Sequence, residues 1–413
     1  MKKKNLVLAG IAICAILLTS PVLASAGYSK IYGNANEDDT LDMRDVTYIK
    51  LVIFGKKPAT TFADANYDGK ISMLDIGQTK LIILGKEKRL TLVDPADRTV
   101  TVPRPIERVV CLFPQPTRSV IELGAADKIV GIDIYSCKYI SDKYLGVFSE
   151  CKELPKVGTY REPNTELILS LKPDVIFSYA FGSSSDIANH IQETTGIPVV
   201  GTTWHATLDH MFEGIELVGK VLEKEKDAEE LISYANEEIA EVTDVTEEIP
   251  DSEKPTVFFI SHLQDGTILT HGEYESVNVA GGILVTEGMG YVPQPGGTLV
   301  VSVEDFIAWD PDVILVARSG EMPRTSVDDI LSDPRFQTMK AVKNRKVNYT
   351  LSGFTYVCED HPRVITEIFI MAKIFHPDKF KELDIEKKGN EIFKRFYGVD
   401  GLWTELGKKC GYI

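Results

Sequence analysis

The residues best equipped for chemistry in this chain are oxygen donors, and they come in two matching sets. Asn34, Asn36, Asp38, Asp42 and Asp45 stand at positions one, three, five, nine and twelve of an acidic loop, with the main-chain carbonyl of Thr40 at position seven. Asp64, Asn66, Asp68, Ser72 and Asp75 repeat the spacing, with the carbonyl of Lys70 at position seven. This is the order in which a tight loop wraps a hard cation such as calcium, which takes six to eight oxygens. Gly69 at position six of the second loop permits a sharp turn. The first loop has Asp39 there, which tolerates the turn less easily, and Asn34 where a charge is expected, so it should be the weaker site. The plainer reading, a pair of solvated acidic turns, fits poorly with the duplication. The register continues through Lys50-Leu51 against Lys80-Leu81, and Gly55 against Gly85.

A second group of residues could hold a flat, polar small molecule. Phe113, Gln115, Tyr135, Tyr160, Arg161, Tyr179, Phe181, Trp204 and His205 lie in the first half of the remaining chain. His262, Gln264, His271, Arg318, Phe354, Tyr356 and His361 lie in the second. Aromatic walls suit large planar ligands, arginine suits carboxylates, and glutamine suits amides. Each aromatic alone is as readily a core or surface residue; the group is what points to a site. No two of the histidines have a helical spacing that would build a bare transition-metal centre.

These residues need elements to position them, and a repeated phrase shows what those are. Glu166 to Phe177 (Glu-Leu-Ile-Leu-Ser-Leu-Lys-Pro-Asp-Val-Ile-Phe) matches Glu304 to Leu315 (Glu-Asp-Phe-Ile-Ala-Trp-Asp-Pro-Asp-Val-Ile-Leu). An acid opens a short helix, Pro-Asp ends it because proline disfavours helix in the residue before it, and a wholly apolar strand follows. Around these copies, strands alternate with helices, with Thr99–Pro103, Arg108–Leu112, Ile129–Ile132 and Pro198–Gly201 in one half. Pro255–Ile260, a loop with His262 and His271, a Gly-rich helix around Gly281-Gly282, and a strand near Val347 make the other. Residues 208–244, with no proline and two glycines, read as one long helix or two abutting ones. The fold class is α/β: two Rossmann-like lobes joined by a long rigid helix, with ligand loops facing each other at the carboxyl ends of the strands.

The chain has 413 residues and a net charge of −16, which argues against a general nucleic-acid partner. Lys2-Lys3-Lys4, an apolar run from Leu6 to Leu18, and Ala24-Ser25-Ala26 form a signal-peptide pattern over residues 1–26, so a secreted, extracytoplasmic product is expected. Of six cysteines, Cys14 falls in that segment and five are left, so at least one is free or pairs between molecules. Cys137 and Cys151, the nearest pair, are candidate disulfide partners; buried thiols are the other reading. There is no G-x-S-x-G, no His-Glu-x-x-His and no carboxylate pair in a glycosidase context, so an enzyme is not expected.

Two family resemblances follow from these motifs. Residues 29–88, with loops ending in aspartate and a single helix after each, resemble a dockerin, a small all-α calcium-loop module. The resemblance implies calcium-dependent folding and a cohesin-like partner at the cell surface. Leu90 to His376 resembles the class III solute-binding proteins of ABC importers, which carry iron–siderophores, corrinoids or haem. The resemblance rests on Thr99–Pro103 with Arg108-Val109-Val110, the two copies of the phrase, and Pro362-Arg363 opening a helix to His376. It implies lobes at 90–207 and 250–413 joined by a helix across 208–249, small closure, a metal-chelate cargo, and an ABC permease as partner. By position, Glu166 and Glu304 would be the acids that dock on that permease. A scaffold-borne hydrolase and a non-transport sensor or adhesion protein are the alternatives.

Overall fold

In each acidic loop the last carboxylate also starts the helix that follows. Asp45 accepts from the backbone N–H of Asp42 at 2.8 Å while Asp42 caps the first turn; Asp75 and Ser72 repeat this reciprocal cap. The helices are α1 (Met43–Ile53) and α2 (Met73–Ile83). The structure, a computed structural model, describes residues 28–136, 148–180, 184–202, 207–264, 266–289, 298–317, 325–350 and 361–410. The signal-peptide segment lies outside them, and among the described residues no helix is long and apolar enough to cross a membrane.

A hairpin, β1 (Arg89–Val93) and β2 (Thr99–Pro103), leads into the first lobe. Residues 28–32 run beside β1, with an antiparallel bridge between Ile31 and Leu92. The acidic module is therefore joined to the body by backbone pairing, where the sequence marked only a boundary near Leu90. The lobe itself is a parallel sheet of β3 (Val109–Cys111), β4 (Ile129–Ile132), β5 (Val175–Tyr179) and β6 (Val199–Thr202) in the order β4-β3-β5-β6. Its helices are α3 (Pro114–Glu122), α4 (Thr165–Leu171) and α5 (Ser184–Thr195).

The connection between lobes is two abutting helices, α6 (Leu208–Val221) and α7 (Glu225–Thr246), the second of the two readings the sequence allowed, and not the single rigid helix of the family resemblance. Glu223 between them takes a left-handed conformation, φ 59°, and no glycine or proline announces the break.

The second lobe repeats the first. Its parallel sheet contains β7 (Thr256–Ile260), β10 (Ile283–Leu284), β12 (Val313–Ala317) and β13 (Val347–Thr350) in the order β10-β7-β12-β13. Val109 aligns with Val175 in one sheet as Val257 aligns with Val313 in the other. A further antiparallel sheet joins β8 (His262–Gln264) and β9 (Thr267–His271), where the sequence was read as a loop, to β11 (Thr298–Ser302). The glycine pair Gly281-Gly282 follows, and does not form, the helix α8 (Glu275–Val279). Then come α9 (Val303–Trp309), α10 (Val327–Ser332), α11 (Lys340–Lys343), α12 (His361–Phe375), α13 (Ile385–Tyr397) and α14 (Leu402–Cys410).

The repeated phrase is α4–β5 and α9–β12. The residue before each proline, Lys172 or Asp310, ends its helix in the left-handed region at φ 48° and 43°. The following aspartate does something the sequence did not show. Asp174 accepts from the backbone N–H groups of Glu107 and Arg108, both at 2.8 Å, and Asp312 accepts from the N–H and hydroxyl of Thr256 at 3.0 and 2.8 Å. Each aspartate pins the start of one of the two central strands of its sheet.

One hydrophobic core runs through both lobes. It contains Val109 and Phe177 from the first sheet, Phe259 and Leu315 from the second, and Leu217, Leu231 and Ile365 from helices between them. Burial on this scale, at about 25 cal/mol per Å² of apolar surface, resists separation of the lobes. Two polar ties add to it. His361 Nδ1 meets Glu122 Oε2 at 2.5 Å, both side chains buried, and the N–H of Leu208 donates to Glu275 at 2.6 Å. The rigidity expected of one connecting helix is thus supplied by a shared core.

Candidate binding cleft and its flanking acids

The carboxyl ends of β3 and β5 present Phe113 and Tyr179, and the turn that leads into α4 presents Tyr160. The three rings close on one another, with centroids 5.0 Å apart for Phe113–Tyr179, 5.2 Å for Tyr160–Tyr179 and 5.6 Å for Phe113–Tyr160. Their edge-on and tilted contacts are the favoured aromatic geometries. Arg161 lies over the Tyr160 ring at 5.4 Å and lines a groove of about 510 Å³ with Asp186 and His190 of α5. Four of the sequence-predicted residues are therefore one cluster.

Backbone shape puts them there. Gly158 has φ 92°, and a Cβ on it would lie 2.3 Å from the carbonyl oxygen of Glu162. Only glycine allows the Gly158–Pro163 turn that carries Tyr160 and Arg161. Asp133, just past β4, accepts from the N–H groups of Tyr135 at 2.8 Å and Ser136 at 3.0 Å, and from the Ser136 hydroxyl. It fixes the turn on which Tyr135 stands, 49% exposed. Burial pushes the Asp133 carboxyl up, against those donors. Asp94 performs a similar service from the hairpin, joining the N–H of Gly201 on β6 at 2.8 Å to the Arg98 guanidinium at 3.0 Å. Sequence reasoning missed all three; the only signals were Asp-x-x-Ser after an apolar strand, Val-Gly-Thr before the aromatic, and Asp-x-x-x-Arg in a hairpin.

Other predicted residues fall elsewhere. Gln115, in the first turn of α3, is 1% exposed and presents no surface to a ligand. His262 on β8 sits with Gln264 at 3.1 Å and near Thr325. His271 is buried and stacked on Phe259, and His361 is buried against Glu122, so neither stands at a cleft mouth. Trp204, Arg318, Phe354 and Tyr356, with Phe181 and His205, lie outside the described residues. Cys151 is disulfide-bonded, and Cys137 lies outside the described residues. Cys111 is a free, buried thiol, pushed by burial up to about 12.

Glu166 and Glu304 occupy equivalent places. Each is the second residue of its helix, behind a side-chain cap from Asn164 to Leu167 N–H or from Ser302 to Asp305 N–H. Both are exposed. Glu166 has no ion pair with a described residue, and exposed Leu169 lies one turn on. Arg335 is a charged neighbour of Glu304. One unneutralised or weakly neutralised acid thus projects from each lobe.

The two acidic loops share several internal hydrogen bonds, though not those of position one, where Asp64 accepts from the N–H groups of Asp68 at 3.1 Å and Gly69 at 2.8 Å. Position three donates its N–H to the position-twelve carboxylate (Asn36 to Asp45, 3.1 Å; Asn66 to Asp75, 3.2 Å). Position seven donates to position five (Thr40 to Asp38, 2.8 Å; Lys70 to Asp68, 3.0 Å). They differ at position six, where Gly69 has φ 86° and Asp39 is not in the left-handed region. The cost anticipated for Asp39 does not arise. Arg44 instead distinguishes loop one, bridging Asp38 at 3.1 Å and Asp42 at 2.9 Å. Among the described residues no three His, Cys, Asp or Glu side chains converge as a metal-holding group. A cation would therefore draw on amide, hydroxyl and carbonyl oxygens as well. One is available: Asn34 Oδ1 is buried and receives no hydrogen bond.

The family described as Periplasmic binding protein matches residues 109–352. The molybdate-binding protein MolA of Haemophilus influenzae is 27% identical over 335 residues, covering 74% of this chain and 90% of MolA. A cobalamin-binding protein of Halobacterium salinarum is 21% identical over 299 residues, covering 70% of this chain and 74% of the relative. Among solved structures, MolA bound to molybdate superposes with a TM-score of 0.61 at 25% identity, over 75% of this chain and 98% of MolA. A periplasmic solute-binding protein of Veillonella parvula gives 0.62 at 22% identity, over 78% and 96%. With more than half its length matched, and with two parallel-sheet lobes on a shared core, the chain belongs to the periplasmic binding protein family of ABC importers.

Proposed function

We propose that this protein captures a metal-chelate ligand, an iron–siderophore, corrinoid or haem, outside the cytoplasm and delivers it to an ABC permease, and that it does no chemistry on its cargo. The carrying observation is the Phe113–Tyr160–Tyr179 cluster with Arg161 beside it, a wall suited to a large planar anion. Glu166 and Glu304 are the docking acids, set one on each lobe to meet basic pockets on the permease. Because the lobes share a core, delivery proceeds with little domain closure.

The acidic module binds calcium. Asn34, Asn36, Asp38, the Thr40 carbonyl, Asp42 and Asp45 form one ligand set; Asp64, Asn66, Asp68, the Lys70 carbonyl, Ser72 and Asp75 form the other. The exposed faces of α1 and α2, with Met43, Phe54, Met73, Leu74 and Leu84, are where a cohesin-like partner attaches the protein to the cell surface. Their concentration of exposed apolar side chains supports that reading.

Difference spectroscopy and calorimetry with haem, cobalamin, ferric citrate and ferric siderophores, with molybdate as the small-oxyanion comparison, test the cargo. Saturable binding of one chelate, weakened at least tenfold by Tyr160→Ala, is expected. Binding of molybdate alone would overturn the chelate reading, and hydrolase turnover without binding would overturn the transport reading.

A further inference from the structure

The two acidic loops have different surroundings, and the difference gives loop one a second role. Loop one begins where the chain leaves the body. The N–H of Asn34 donates to the carbonyl of Ile31 at 3.1 Å. Its side-chain amide donates to the carbonyls of Ser29 at 2.9 Å and Asp38 at 2.5 Å. One side chain thus ties the segment before the loop to the turn within it. Its remaining oxygen is buried without a donor, a state that costs free energy unless something electropositive meets it.

The segment that Asn34 holds is the one that pairs with the body. The N–H of Tyr32 donates to Thr91 at 2.9 Å, and the N–H of Val93 to Lys30 at 2.8 Å. The hydroxyl of Tyr28 reaches the carbonyl of Val93. Ile31 is buried in the core shared with the lobes, and Lys30 pairs with Glu213 of α6 at 3.1 Å. Beyond β1, Asp94 continues the chain of contacts to β6.

We infer that a divalent cation in loop one, ligated by Asn34 Oδ1 with Asp38 and Asp45, clamps the acidic module to the solute-binding body. The cation fixes the Asn34 side chain, which holds residues 29–31, which pair with β1. Arg44 partly neutralises the loop in the cation's absence; its bridges are exposed and cheap to release. Loop two meets the same segment through a ring contact, Tyr67 against Tyr32 at 4.8 Å, and not, among the described residues, through a hydrogen bond to residues 29–31. The consequence is a cargo-binding body held in fixed orientation to whatever the module grips, in place of one swinging on a linker. This inference rests on the calcium reading above.

Amide hydrogen exchange on the full chain, with calcium and with EGTA, tests it, alongside titration calorimetry with calcium. The Tyr32 and Val93 amides should exchange at least about tenfold faster in EGTA. Asp38→Asn should give that fast exchange even with calcium present, and Asp68→Asn, its isosteric counterpart in loop two, should retain the calcium protection. If calorimetry shows calcium bound but the two amides exchange alike with and without it, or if Asp68→Asn abolishes the protection as fully as Asp38→Asn, the clamp is refuted and the calcium sites stand. If no calcium binds, the calcium reading itself falls.

Discussion

Replacing Asp94 by alanine should destabilise the first lobe more than any change at an exposed position, and the structure allows the size to be worked out. Asp94 is fully buried and Arg98 is 8% exposed. Loss of the carboxylate leaves a desolvated guanidinium whose other side-chain hydrogen bond among the described residues is to Asn189 Oδ1 at 2.8 Å. It also strips an acceptor from the N–H groups of Ala96, Arg98 and Gly201. Breaking a buried pair from one side costs about 3–5 kcal/mol. The Asn189 contact and water reaching Ala96 pull toward the lower end; the orphaned Gly201 N–H, at about 1–3 kcal/mol, pulls back up. The expected loss is about 4 kcal/mol, roughly a thousandfold in the folding constant. Asp94→Asn, which keeps an acceptor oxygen but no charge, should lose about half of that. Urea unfolding followed by tryptophan fluorescence measures both, with the slope checked for constancy. A loss below about 1 kcal/mol for Asp94→Ala would refute the view that this pair bolts the hairpin to β6.

Three further outcomes follow from the same structure. Burial holds the Asp133 carboxyl above its unfolded value, so the folded state keeps the proton longer. Its contribution to stability is complete below the unfolded value, about 4, and fades as pH rises through the native one. Asp133→Asn should therefore gain on wild type in unfolding experiments as pH rises from about 4 to 7; a constant gap would show that the buried charge is not the cause. Gly158→Ala forces a Cβ against Glu162 and should weaken cargo binding at least about tenfold by displacing Tyr160 and Arg161; unchanged affinity would remove that turn from the site. Cys111, buried with its thiol pushed up to about 12, should resist Ellman's reagent in the native protein and react only on unfolding.

Local patterns were the legible part of the sequence. The repeated phrase fixed a helix, a left-handed stop and a strand because proline and a run of apolar residues act within a few positions. The acidic loops were legible for the same reason. What escaped notice depends on distant partners. His262–Gln264 and Thr267–His271 are short and partly polar, and become strands through pairing with each other and with Thr298–Ser302. His271 and His361 seemed free to reach a ligand until packing placed them against Phe259 and Glu122. The break at Glu223 carries no glycine or proline. Residues 28–32 carry no pairing signal alone; β1 supplies the partner for their bridge. The aromatic trio was visible as a group, but the groups that aim it, Gly158 and Asp133, work through backbone geometry that composition does not reveal.

Delivery to a permease is tested by uptake in cells carrying the double variant Glu166→Ala, Glu304→Ala. Both side chains are exposed and lie at helix starts already capped by Asn164 and Ser302, so the variant should fold normally and bind whichever chelate the wild type binds with the same affinity. Permease-dependent uptake of that radiolabelled chelate should be lost in cells, with affinity unchanged. Uptake at the wild-type rate would contradict it.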